Sequence, residues 1–146
     1  MNIQMFEALS LSQISELESQ LRIKLPDDYK DFLMRIGGGI VEKDDINKIY
    51  IKDIGENVVV DVLYGNDPRN IKGSIIFWMK QFESEIYPES IIIGDDIQQG
   101  FFILICSGDN KGVYYWDDSY NFKISNDENN MYWIADSFNQ FLKMLQ

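Results

Sequence analysis

A chain of 146 residues, 45% hydrophobic and 14% aromatic, can fill a sizeable core, which argues against intrinsic disorder. Histidine is absent, and with it go Ser-His-Asp and Cys-His triads, histidine general bases and nearly every common transition-metal site. Acidic residues number 24 against 13 basic, a formal charge of −11 that repels phosphate backbones and attracts cationic surfaces, so nucleic acid is a poor partner.

Ser10 with Gln13 three residues on forms a capping-box pattern, flanked by Leu9 and Ile14 as a hydrophobic staple. Ile14, Leu17 and Leu21 keep helical spacing, which predicts a first helix over about residues 11 to 21. A second helix has both ends marked. Pro26 suits its first position, Asp27 and Asp28 place negative charge against the positive end of its dipole, and Gly37 can take the left-handed cap. Between them, Tyr29, Phe32, Leu33 and Ile36 line one face, and Gly37-Gly38-Gly39 then releases the chain into a strand.

The pattern next turns to β. Ile49 to Ile54 and Val58 to Tyr64 read as a hairpin around Gly55-Glu56-Asn57, ended by Gly65-Asn66-Asp67-Pro68. Ile71, Ile75, Trp78, Met79, Phe82 and Ile86 restore the helical period for a third helix, which Pro88 closes. Strands follow at Ile91 to Gly94, Phe101 to Ser107 and Val113 to Trp116, joined by Asp95 to Gly100 and the turn Gly108 to Gly112. Ile134, Phe138, Phe141, Leu142 and Leu145 mark a C-terminal helix, with Asp136 as its N-cap.

No repeat or linker divides the chain, so residues 1–146 read as one domain. The apolar run Phe101 to Cys106 is too short to span a bilayer, and the first twenty residues lack the basic start and apolar stretch of a signal peptide. A cytoplasmic protein with no membrane partner is expected. Cys106, the single cysteine, sits inside that apolar run and reads as a buried small hydrophobe.

Five segments in order resemble the SUKH superfamily, the domain of bacterial toxin-immunity proteins and of a fungal cell-wall assembly regulator. They are Leu25 to Leu33 running into Gly37-Gly38-Gly39, then Ile93 to Asp96, Gly100 to Leu104, Gly112 to Asp118 and Ile134 to Leu142. One departure is Ile36-Gly37 where the family often has Asn-Gly; glycine still supplies the positive φ. The resemblance implies an α+β fold, a largely antiparallel sheet with two N-terminal helices, one middle helix and one C-terminal helix packed against it. It also implies binding rather than catalysis. No cofactor is expected, and the chain is expected to be a monomer or weak homodimer. Members in bacterial toxin loci bind a cognate toxin, often a nuclease, and block it; their contact surfaces vary, so no fixed contact list transfers.

The charge imbalance is steepest after Glu89, where Glu89, Asp95, Asp96, Asp109, Asp117, Asp118, Asp127, Glu128 and Asp136 face only Lys111, Lys123 and Lys143. Surplus charge can serve solubility alone. Two stretches concentrate it. In the loop from Asp95 to Gly100, Asp95 suits a turn-capping role, while Asp96, Gln98 and Gln99 are better placed to touch a partner. In Tyr114 to Tyr120, rings interleave with acids as in desolvated contacts surrounded by steering charge, and Tyr115, Asp117, Asp118 and Tyr120 are the candidate contacts, with Trp116 assigned to the core. Neither an EF-hand loop nor a third fixed ligand accompanies Asp117 and Asp118, so no metal site is expected.

The function expected is an immunity protein that occludes a basic, nuclease-type toxin by stoichiometric binding. One alternative is a regulatory or scaffold module that binds a cellular protein or peptide. Another is a carboxylate-dependent hydrolase, which requires a deep cleft with two converging acids of perturbed pKa; Asp95, Asp96, Asp117 and Asp118 lying far apart on open loops would remove it.

Overall fold

The computed structural model describes residues 2–42 and 47–145, which form four α-helices and eight strands. Helix α1 (Leu11–Leu21) starts as its sequence dictates: Gln13 N–H donates to Ser10 Oγ at 3.2 Å while Ser10 N–H donates to Gln13 Oε1 at 2.8 Å. Helix α2 (Asp27–Arg35) has Pro26 as N-cap rather than as first helical residue, one position earlier than expected. At its other end, Ile36 and Gly37 N–H both donate to the Phe32 carbonyl. Gly37 has φ +79°, and a Cβ there would lie 2.3 Å from the Glu7 carbonyl oxygen, so the turn admits only glycine.

The strands are β1 (Ile3–Met5), β2 (Gly39–Val41), β3 (Lys48–Ile51), β4 (Glu56–Leu63), β5 (Ser90–Asp96), β6 (Phe101–Ile105), β7 (Gly112–Trp116) and β8 (Met131–Ala135). They run β1-β2-β4-β5-β6-β7-β8, with β3 added to β4, and every pairing is antiparallel. The expected α+β architecture is therefore observed. The β3–β4 turn falls earlier than expected, because Ile51 pairs with Glu56 and its carbonyl accepts from Ile54 and Gly55 N–H. Strand β5 extends two residues beyond Gly94, which makes Asp95 and Asp96 strand residues rather than loop residues.

The third helix is shorter at both ends than its periodicity predicts. A 3-10 turn (Ile71–Gly73) precedes α3 (Ile75–Phe82), and the break at Ser74 has a main-chain cause. Gly65 N–H donates to the Gly73 carbonyl and Ile75 N–H donates to the Gly65 carbonyl, which holds Ser74 extended at φ −105°, ψ 131°. Helix α4 (Phe138–Met144) also starts later than expected. Its N-cap is Ser137, whose Oγ accepts from Gln140 N–H at 3.2 Å; Asp136 instead accepts from Trp133 Nε1–H. Ile134 belongs to β8, where Tyr132 and Ile134 point inward and Trp133 outward.

Alternation along β6 and β7 sends neighbouring rings to opposite faces of the sheet. Phe102 meets its cross-strand partner Tyr115 and also Phe141 of α4, whose Phe138 packs on Tyr29 and Phe32 of α2 at 4.8 and 5.0 Å between ring centres. Phe101 and Trp116 take the other face and meet Phe82 of α3 at 5.1 and 5.2 Å, while Trp78 packs on Phe101 and Tyr64. Cys106 lies just past β6, buried, and burial pushes its thiol pKa up to about 12, so it is an inert core residue.

Candidate partner-binding surface

The two acidic stretches meet at one end of the sheet, where the β5–β6 turn and the loop after β7 lie side by side. Each is braced by a buried aspartate. Asp96 Oδ1 accepts from Gln98 N–H at 3.0 Å and Gly100 N–H at 2.9 Å, closing the β5–β6 turn from within. Asp117 accepts from Asn121 N–H at 2.8 Å, Phe122 N–H at 2.9 Å and the Ser125 hydroxyl at 2.5 Å, and so organises the whole loop after β7. Asn121 Nδ2–H donates to the Gln98 carbonyl at 2.8 Å and ties the two loops together.

This geometry corrects three of the expected contact residues. Asp96 is 4% exposed, and Tyr115 and Asp117 are fully buried, so none presents its side chain to a partner. Asp117 is withdrawn because two main-chain amides and a hydroxyl converge on its carboxylate, which no composition argument could reveal. Tyr115 is held inside by Phe102 and Phe122, with its ring against Gly100, where an added Cβ would sit 1.9 Å from the hydroxyl oxygen. The turn-capping role expected of Asp95 belongs to Asp96. Asp95 instead accepts from Tyr64 Oη–H at 2.6 Å and Val62 N–H at 3.2 Å, bonds that pin β5 to β4 and its extension.

Gln98, Gln99 and Tyr120 remain exposed and Asp118 is half-buried, so four expected residues do reach this surface. Gln99 and Tyr120 both adopt positive φ, at 71° and 53°, in the turns that the buried aspartates close. The Tyr120 hydroxyl donates to Asp127 Oδ1, joining the loop to the segment that leads into β8.

Between these loops and α3 lies a groove of about 430 Å³ that sequence reasoning did not identify. Trp78, Phe82 and Phe101 supply its apolar wall; Asp61, Asp95, Asp96 and Asp118 are among its lining residues, and no lysine or arginine lines it. Trp78 and Phe82 had been legible only as core positions of a helix. Asp61 interrupts the β-run Val58 to Tyr64 and was the one available hint. Burial raises the Asp95 pKa to about 6, against the lowering effect of its Tyr64 hydrogen bond. Burial also raises Asp96 and Asp118, the latter aided by the neighbouring charge of Asp117.

Asp95, Asp96 and Asp118 therefore do not lie far apart on open loops; they share one groove. Yet both Asp95 oxygens are already engaged, and Asp96 Oδ1 holds the turn. Among the described residues, no group of three potential ligands converges closely enough to hold a metal ion. No described helix is long and apolar enough to cross a membrane.

Helices packed on an antiparallel sheet, with acid-bearing loops at one end, define an α+β domain of the SUKH type. The chain belongs to the SMI1 / KNR4 family (SUKH-1), whose family model matches residues 8–144. It is similar to the SPbeta prophage-derived uncharacterized protein YokK of Bacillus subtilis (strain 168), with 29% identity over 147 residues, covering 89% of this chain and 71% of that relative.

Proposed function

We propose that this protein is an immunity protein of the cytoplasm, which binds a protein toxin and covers its working surface. The toxin class that fits is a basic nuclease, because a groove that holds phosphate must carry positive charge and the acidic loops offer its complement. The observation that carries the reading is the acid-lined groove with an aromatic wall, set beside exposed Gln98, Gln99 and Tyr120 on a SUKH fold. The prophage origin named for the relative supports a mobile locus of the kind that carries such pairs. Occlusion needs no reactive group here: a standard interface buries on the order of 800 Å² per partner, and desolvated aromatic anchors slow release while opposite charge speeds encounter.

The test is co-purification with the toxin domain encoded beside it, followed by assay of the toxin. A stable complex in which an equimolar amount of this protein abolishes cleavage is the expected result. An active toxin in that mixture refutes the proposal.

A further inference from the structure

The groove is specific enough to assign an occupant. Its wall of Trp78, Phe82 and Phe101 can pack against the alkyl stem of a long side chain, and its rim is acidic with no cation among the lining residues. Asp118 is the informative member. It is half-buried, and among the described residues it makes no hydrogen bond and no ion pair, so its carboxylate is partly withdrawn from water with no protein partner. Asp96, the most buried of the four acids, is turned toward the turn amides and the Tyr115 hydroxyl, so it adds negative charge beside the groove but no free oxygen. A cation seated in the groove would satisfy Asp118 directly and stabilise Asp95 and Asp96 through space.

We propose that the groove between α3 and the β5–β6 and β7–β8 loops receives an arginine side chain of the partner protein, its guanidinium paired with Asp118 and its stem against Phe82. Arginine is favoured over lysine because a planar, weakly hydrated cation loses less on partial burial beside rings and its fork suits a carboxylate. A metal ion is disfavoured because the acids do not converge on a point. The inference rests on reading this face as a protein-binding surface; it does not require that the partner be a toxin.

The probe is N-acetyl-arginine amide, titrated into the isotope-labelled full-length protein while the backbone amide signals of Gln99 and Ser119, both groove residues, are followed. Saturable shifts are expected with arginine, with weaker binding for N-acetyl-lysine amide and none for the neutral isostere N-acetyl-citrulline amide. Asp118→Asn, isosteric and partly exposed, should fold normally and weaken arginine binding about fivefold. Equal shifts with citrulline, equal affinity for lysine, or an unchanged affinity in Asp118→Asn would each overturn the assignment. A toxin neutralised with unaltered affinity by the Asp118→Asn protein would remove arginine capture and leave the immunity reading intact. Arginine binding as described, without neutralisation of the neighbouring toxin, would leave the groove standing and remove the immunity reading.

Discussion

Phe101 and Phe102 are adjacent in β6, yet they lead into faces of the sheet that are finished differently. Phe102 enters a layer closed by α2 and α4, where Tyr29, Phe32, Tyr115, Phe138 and Phe141 are each at most 1% exposed. Phe101 enters a layer whose ring contacts come from α3, and there Trp78 and Phe82 stay half-buried beside the acidic groove. Both layers are aromatic. What separates them is cover: two helices close one face, while one helix of eight residues leaves an end of the other open. Aromatic content therefore says little about whether a residue supports the fold or waits for a partner; the neighbouring element decides.

The strongest way to break this contrast is to truncate one ring on each face. Phe102→Ala should cost about 3–5 kcal/mol, as a cavity in a closed layer does, measured by urea unfolding. Phe82→Ala should cost about 1–2 kcal/mol, since its ring is only partly withdrawn from water. Equal losses would show that the faces are energetically alike. Between these falls Asp117→Ala, expected to destabilise by about 3 kcal/mol because two amides and a hydroxyl lose a charged acceptor. It should also loosen the loop that carries Asp118 and Tyr120, seen as faster amide exchange there and weaker partner binding.

Asp95 offers a pH test of the open face. Its folded pKa of about 6 lies above the ordinary carboxylate value near 4, so the folded state binds more protons than the unfolded state between them. Wild-type stability should therefore fall relative to Asp95→Asn as pH rises from about 4 to about 6, read as the difference between urea midpoints. The opposite slope would mean that Tyr64 and Val62 outweigh burial. The smallest stability effect belongs to Asp118→Asn, within about 0.5 kcal/mol of wild type, although it weakens binding; that dissociation of effects is what an open groove predicts and a sealed layer does not. Raising salt should slow association with a basic toxin while leaving the release rate nearly unchanged.

Local signals read well where one residue type has one structural use. Ser10 and Gln13 box the start of α1, Gly37 ends α2, and the β-rich runs around β6 and β7 emerged with nearly correct bounds. The errors arose where patterns overlap. Ile134 fits the helical spacing of Phe138 and Phe141 as well as the alternation of β8, and the helical period from Ile71 onward hides the main-chain bonds from Gly65 that split it. Strand β1, three residues long with a mostly exposed pattern, offers almost no periodicity to read.

The same logic separates the two halves of the functional reading. Family, fold class and acidic character were legible from residues near one another along the chain, because capping, alternation and net charge are local or additive properties. Which aspartates face water was not. Asp117 turns inward to amides four and five residues on and to Ser125, whereas Asp118 is left against a groove whose other wall, Trp78 and Phe82, comes from about forty residues earlier. Burial of a charge depends on what the folded chain brings to it from elsewhere, so that choice belongs to the packed molecule and not to the order of its residues.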